Sequence, residues 1–431
     1  LPNRLPLAEQ VRLIAAGQLS PAELWAAHRE EIEKTNPTVN AFVRLFDPPG
    51  ELAPGPLHGV PVTVKDSFDI AGYPTYCGSR LRLTHRADRD AAVVTKLRAA
   101  GAAILGKTNT PEFLANYESD NHIAGRTNNP RDLSLTAGGS SGGEAAAIAS
   151  CMSAGGVGSD GGGSVRWPAH CCGIVGLKPT PGRVSAAGHF PSISHPGGMM
   201  GVAGPMARTV GDVRLLFDVL KGYDTDDPFS APVEAVRIEK PRIGVWPRFY
   251  STPVQTECAN AVDAAAQKLS GAGYELVEFE PRGLERAPNL WAFLFTELSA
   301  PFTRELIEGR REETHWTGTE FLDAIADRPE PSGRRVVEVL AARDAMRASL
   351  LRQMRDYPVI LTAGAGMTAF PHRARRFATP EKGIGLFEGT FPLVWANLLG
   401  LPALAVAGAQ LVGVPWSEET LLDVGEALSS T

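Results

Sequence analysis

The sequence predicts an α/β protein folded as one large unit, and three observations carry that prediction. Strand and helix patterns alternate through the first quarter of the chain. Strand–helix–strand runs return after residue 240 and again near the C-terminal end. No repeat, low-complexity tract or linker divides the 431 residues. Average domain sizes would allow two or three domains at this length, but large single α/β sheets also reach it. A chain this long buries a core without disulfide or metal staples.

Residues 7–35 read as two helices. Gly17 ends the first, and Ser20-Pro21-Ala22-Glu23 gives the second an N-cap, a first-turn Pro and a capping-box Glu. Leu24, Trp25, His28 and Ile32 then recur at helical spacing. Val60, Val62 and Val64 alternate up to Lys65, as in a strand. A helix is expected over 90–100 and a buried strand over 102–105. Glycine density peaks from Gly138 to Gly182, where Glu144–Ala154 reads as a small-residue helix between tight Gly-rich loops. Thr209 caps a predicted helix over 210–221. Strands at 242–246 and 274–279 flank a helix near 254–270, and 285–356 is mainly helical and charged. A strand at 359–362, a helix near 391–399, strand-like runs at 403–407 and 410–414 and a helix after Ser417 close the chain.

Composition narrows the function classes. With 42 Lys and Arg against 48 Asp and Glu, the net charge is −6, and no basic stripe of the kind that neutralises nucleic-acid phosphates is present. No run of 18 uncharged apolar residues exists, so nothing is expected to span a membrane. Cys77, Cys151, Cys171, Cys172 and Cys258 are odd in number and show no CxxC spacing, which fits buried thiols in a reducing, cytoplasmic setting. The opening LPNRLPLAEQ has no signal-peptide apolar core; it also lacks Met, which leaves a removed segment open.

Two motifs are decoys. Gly101 to Thr108 matches the Walker A pattern letter for letter, but a helix precedes Gly101 and the middle residues are strand-like, the reverse of what a phosphate loop needs. Gly138-Gly139-Ser140-Ser141-Gly142 matches the nucleophile elbow of α/β-hydrolases, which requires a hydrophobic strand just upstream. Arg131–Ala137 is polar and follows Pro130, a poor central strand. Histidines follow (His170, His189, His195, His315, His372), so a Ser–His–acid esterase using Ser140 stands as a weaker rival.

Three features remain: Lys65 at the end of a strand, Ser140 in GGSSGG and Ser164 in GSDGGGS. A serine needs a base to become a nucleophile, and lysine serves only when neutral, a state that burial favours. Gly161-Gly162-Gly163-Ser164 offers successive backbone N–H groups that can surround an oxyanion. The stretches GPLHGVPVTVKDSFD, GKTNTPEF, TNNPRDLSLTAGGSSGGEAAA, GSDGGGSVRWPAHCCGIVGLKPTPGRVS and GPMARTVGD occur in family order over most of 55–221, and they resemble the amidase signature family, the Ser–cis-Ser–Lys amide hydrolases.

That resemblance implies a single domain over 1–431 with a mixed central sheet covered on both faces by helices. Residues 55–221 would form the catalytic core and 230–390 a variable, substrate-shaping region. It implies that Ser164 forms the acyl-enzyme, that Ser140, after a cis peptide with Gly139, relays the proton, and that neutral Lys65 is the base, later returning a proton to the leaving amine. Gly161, Gly162, Gly163 and Ser164 would supply the oxyanion hole. The implied partner is a small amide, with no metal, cofactor, nucleic acid or membrane, and a homodimer is left open. Ser141 is the neighbouring alternative to Ser140, and the family pattern favours the first serine. Asp160 reads either as a triad acid or, the reading preferred, as the partner of Arg166 that braces the loop. His170, Cys171 and Cys172 read as structural, since adjacent ligands rarely close a tetrahedral site. Trp167 either faces the pocket, favouring an apolar or aromatic substrate portion, or packs beneath the loop.

The rival within the family is the A-type subunit of the tRNA-dependent amidotransferase. Arg166-Trp167-Pro168 stands where that protein usually has Gln after the Arg, and Gly198 to Ala203 replaces its Ser-Leu-Asp-Gln run. The membrane-binding segment of vertebrate-type fatty-acid amide hydrolases has no counterpart that stands out. All three catalytic residues are present, which gives no support to an inert binding module. Only Ala407-Gly408-Ala409 joins the last two strands, a connection shorter than in relatives or one from which residues are missing.

Overall fold

In the computed structural model, which describes residues 1–193 and 199–429, eleven strands form one mixed sheet. They begin with β1 (Phe42–Leu45), β2 (Pro61–Lys65) and β3 (Ala103–Thr108). A peripheral hairpin of β4 (Asn128–Asn129) and β5 (Asp132–Thr136) intervenes before β6 (Gly155–Asp160), β7 (Val175–Lys178) and β8 (Val202–Ala207). Then come β9 (Ile243–Trp246), β10 (Leu276–Glu278) and β11 (Val359–Ala363). A second small hairpin, β12 (Arg376–Phe377) and β13 (Ile384–Gly385), precedes β14 (Ala403–Val406) and β15 (Ala409–Gly413). The spatial order is β1-β3-β2-β6-β8-β7-β14-β15-β11-β9-β10. The β3–β2–β6 and β11–β9–β10 runs are parallel and the remaining pairings antiparallel.

Strand alternation sets the two faces. Val62, Val64, Ile104 and Val157 pack beneath α1 (Leu7–Ala15), α3 (Ala92–Ala99), α6 (Val210–Leu220), α7 (Thr256–Gly271) and the terminal helix Glu418–Ser429. Ala103, Leu105 and Met206 meet α2 (Pro21–Val39), α4 (Gly142–Ala149) and α5 (Arg166–Cys172) on the other. A third cluster, with Trp246, Trp291 and Trp395, continues the core into the later part of the chain. The fold is thus a single large α/β domain with a mixed sheet between helical layers, as the sequence predicts.

The local signals hold where side chains carry them. Ser20 and Glu23 form the capping box, and the Thr209 hydroxyl accepts from Asp212 N at 3.1 Å. The helix begun at Pro21 runs to Val39, beyond the predicted end, and stops at Asn40 in the left-handed region at φ 55°. Lys107 lies inside β3, with its Nζ 2.8 Å from Asp66 Oδ1, so the Walker-like run is a strand with an internal ion pair. Ala407 and Gly408, at φ 53° and 78°, make a two-residue hairpin turn between the last two strands.

The glycine-rich region differs from the prediction. The helix there is Gly142–Ala149, and the glycines after it form β6, a fully buried central strand. The helix lies so close to the sheet that a Cβ at Gly156 would overlap Glu144 Oε1 and the Thr63 carbonyl. Close approach selects glycine, and without side chains the two-residue period that marks a strand disappears. The neighbouring elements β7, β8 and α5 are further structure that the sequence reading does not assign.

Candidate active site

Lys65 ends β2 with no exposed surface. Its Nζ lies 2.6 Å from Ser140 Oγ, 3.0 Å from Ser159 Oγ and 3.3 Å from the Ser159 carbonyl. Burial pushes the ammonium down to about 7, with Cys77, Asp160 and Glu144 pulling in the other direction. A lysine so placed is substantially neutral near physiological pH and can accept a proton. Ser140 follows a cis peptide from Gly139. Its neighbour Ser141 turns away: the Ser141 hydroxyl donates to the Ser159 carbonyl at 3.3 Å. The two glycine–serine loops are joined where Ser141 N donates to the Ser164 carbonyl at 3.2 Å, and Ser164 is partly exposed.

The loop carrying Ser164 is held by its carbonyls. Asn397 Nδ2 donates to the Asp160 carbonyl at 3.2 Å, and Trp291 Nε1 to the Gly161 carbonyl at 2.8 Å. The Tyr117 hydroxyl donates to the Gly162 carbonyl at 3.0 Å, and Trp167 N to the Gly163 carbonyl at 2.6 Å. A trans peptide points C=O and N–H in opposite directions. Pinning the carbonyls of Asp160, Gly161 and Gly163 therefore turns the N–H groups of Gly161, Gly162 and Ser164 away from those partners. The fourth predicted donor is otherwise engaged, because Gly163 N donates to Asp160 Oδ1 at 2.7 Å. Of the four N–H groups expected to face an oxyanion, that of Gly163 is thus bonded within the loop, and those of Gly161, Gly162 and Ser164 point away from the partners of the preceding carbonyls.

Asp160 and Arg166 are both fully buried, 3.0 Å apart. Burial raises the Asp160 carboxyl, but the Arg166 charge and hydrogen bonds, with Lys178 and Asn397, outweigh it and hold the group well below the usual carboxylate range. Asp160 also accepts from Val165 N at 3.1 Å, so it shapes the loop. Asp160→Asn is expected to cost about 3–5 kcal/mol of stability, because Arg166 would stay buried without its counter-charge. Urea unfolding measures this, and an unchanged midpoint would argue against the bracing role.

Trp167 is fully buried, with its Nε1 donating to the Tyr117 carbonyl at 3.0 Å and its ring stacked with those of His170 and Phe370. It packs beneath the loop, which removes it from the pocket-facing candidates. His170 bonds the Met367 carbonyl, and Cys172 Sγ donates to the Ala137 carbonyl. Among the described residues no group of three His, Cys, Asp or Glu is placed to hold a metal, and no helix is long and apolar enough to cross a membrane. No described histidine hydrogen-bonds Ser140 or Ser164: His315 faces Asp120, His372 faces Glu118 and His189 faces Ser159. His195 and Gly198 lie outside the described residues. With β5 in a peripheral hairpin, the nucleophile-elbow geometry is not formed.

Four contributors escaped the sequence reading. Ser159 and His189 touch the lysine network, Glu144 bonds Thr63 and Thr108 beneath it, and Trp291 walls the glycine loop. A Cβ at Gly162 would overlap the Trp291 ring, and Phe295 stacks on that ring at 4.7 Å. The signals available are Ser159, beside Asp160 in GSDGGGS, and His189, which the sequence offers only as one of the histidines after the GxSxG match.

Comparison with known proteins agrees along the whole chain. The family model described as Amidase matches residues 26–422. An indoleacetamide hydrolase of Bradyrhizobium diazoefficiens is 32% identical over 97% of this chain and 84% of its own length. The A-type subunit of a glutamyl-tRNA(Gln) amidotransferase of Chloroflexus aurantiacus is 33% identical, covering 96% of this chain and 94% of that protein. The structure of a 6-aminohexanoate cyclic dimer hydrolase complexed with substrate superposes with a TM-score of 0.87 at 27% identity, covering 100% of this chain and 97% of the other.

Proposed function

Because this chain belongs to the amidase signature family, hydrolases of non-peptide carbon–nitrogen bonds, we propose that it cleaves a small carboxylic amide through an acyl-enzyme on Ser164. The observation that carries the reading is the 2.6 Å contact between a fully buried Lys65 amine and Ser140 Oγ, on a loop tied to Ser164. Neutral Lys65 takes the Ser140 proton while Ser140 takes that of Ser164. Ser164 Oγ then bonds the amide carbon, and the oxyanion faces the N–H groups of Gly161, Gly162 and Ser164. On collapse the C–N bond breaks, and the proton held at Lys65 passes through Ser140 to the leaving amine. Water attacks the ester by the same relay, releasing the carboxylic acid and restoring Ser164. No cofactor enters this sequence.

The Trp291–Phe295 stack beside Gly161 and Gly162 supports an apolar or aromatic group on the substrate, within a variable 230–390 region. The similarity to an indoleacetamide hydrolase supports the same class. Free thiols at Cys77, Cys151, Cys171, Cys172 and Cys258 support a cytoplasmic setting. A second reading, the A-type component of an amidotransferase, rests on the 33% identity to such a protein and predicts turnover only with partners.

A fluorophosphonate probe followed by peptide mapping tests the mechanism. Adduct on Ser164 of the isolated chain is expected. Adduct on Ser140 would move the protein to the esterase reading, and no adduct without added partners would favour the amidotransferase one.

A further inference from the structure

We infer that His189 is a positioning residue that aims the Lys65 lone pair at Ser140, acting through the Ser159 hydroxyl. The inference rests on the proposed role of Lys65 and follows from counting hydrogens. His189 Nδ1 lies 2.7 Å from the Pro191 carbonyl, which can only accept, so Nδ1 carries the hydrogen. Burial, aided by the Lys65 charge, pushes the imidazole down to about 3, so the ring holds a single N–H and its Nε2 is an acceptor. The Ser159 hydroxyl, 2.8 Å from Nε2, therefore donates to His189.

With its one hydrogen committed, Ser159 Oγ can only accept from Lys65 Nζ at 3.0 Å. The Ser159 carbonyl, 3.3 Å from the same nitrogen, is also an acceptor. A neutral amine has two hydrogens and one lone pair. Both hydrogens are claimed by Ser159, and the lone pair is left for the third neighbour, the Ser140 hydroxyl at 2.6 Å. Without His189, the Ser159 hydroxyl is free to rotate and donate to the lone pair itself, in competition with Ser140. Such a bond favours the neutral amine, so it would lower the lysine's apparent pKa while making it a worse base for Ser140. The other groups facing Lys65 are Cys77, Asp160 and Glu144, and the variants below leave all three in place. The His189 ring is itself held edge-on by Phe68 at 4.8 Å.

The test is the rate of fluorophosphonate labelling of Ser164 from about pH 5 to about pH 10, which brackets the lysine limb. His189→Leu is expected to lower the plateau rate by about tenfold or more and to move the acid limb to lower pH. His189→Gln, whose amide oxygen can accept from Ser159, is expected to restore both. In a Ser159→Ala background, His189→Leu is expected to add no further loss. A wild-type rate and limb in His189→Leu, a slower rate with an unmoved limb, no rescue by Gln, or full additivity with Ser159→Ala would each overturn the inference alone. Failure of the unmodified enzyme to label at Ser164 would instead overturn it together with the proposed mechanism.

Discussion

Lys65→Ala is expected to lower amide turnover by about a thousandfold or more, within the range a positioned base contributes. The substitution removes the proton acceptor 2.6 Å from Ser140 and takes one donor each from the Ser159 hydroxyl and carbonyl, which keep only His189 and the Ser141 hydroxyl as partners. Lys65→Arg is expected not to rescue, since a guanidinium stays charged and has no lone pair to offer. The same argument fixes the sign of the pH dependence. With the ammonium held down to about 7, the base is protonated below that pH and neutral above it, so kcat/KM should rise through pH 7. Glu144, pushed up to about 7 by burial, titrates in the same window. Glu144→Gln separates them, because the acid limb should survive that change. A flat profile down to about pH 5, or a limb that vanishes in Glu144→Gln, would reject Lys65 as the base.

Ser164→Ala is expected to abolish turnover, by about a millionfold when judged from serine hydrolases whose nucleophile is removed. Its backbone N–H stays in place, so the loss should fall on kcat with little change in KM. Ser140→Ala should lose most activity but less than Ser164→Ala, because it interrupts proton transfer and leaves the nucleophile. Steady-state kinetics of the two variants on one amide decides the order. Near-normal hydrolysis by Ser164→Ala would remove the acyl-enzyme mechanism, and a larger loss in Ser140→Ala would shift the nucleophile to Ser140.

Much of this was legible before folding. The Ser20–Glu23 capping box, the Thr209 cap and the alternating valines before Lys65 are local patterns whose physical meaning does not depend on the rest of the chain. Ser140, Ser164 and Lys65 could be singled out from glycine-rich context and the long motifs around them. The strand Gly155–Asp160 could not, because close approach of Glu144 and Ser141 leaves only glycine at positions 156 and 158, and with Gly155 also bare the alternation that marks a strand is lost.

The sequence by itself determined the α/β class, the helix ends, and the residue types able to perform amide hydrolysis. It left Trp167 poised between pocket and core, and counted Gly163 among the oxyanion donors. Tertiary structure places both, with the indole buried against the Tyr117 carbonyl and Gly163 N bonded to Asp160. It also decided the direction of the lysine. Lys65 meets Ser140 across a sequence separation of 75 and Ser159 across one of 94, while His189 reaches Ser159 across 30. A propensity or a cap is written within a turn or two of chain. Which acceptor faces which hydrogen is set only when the sheet, the glycine loops and the segment around Pro191 have packed together.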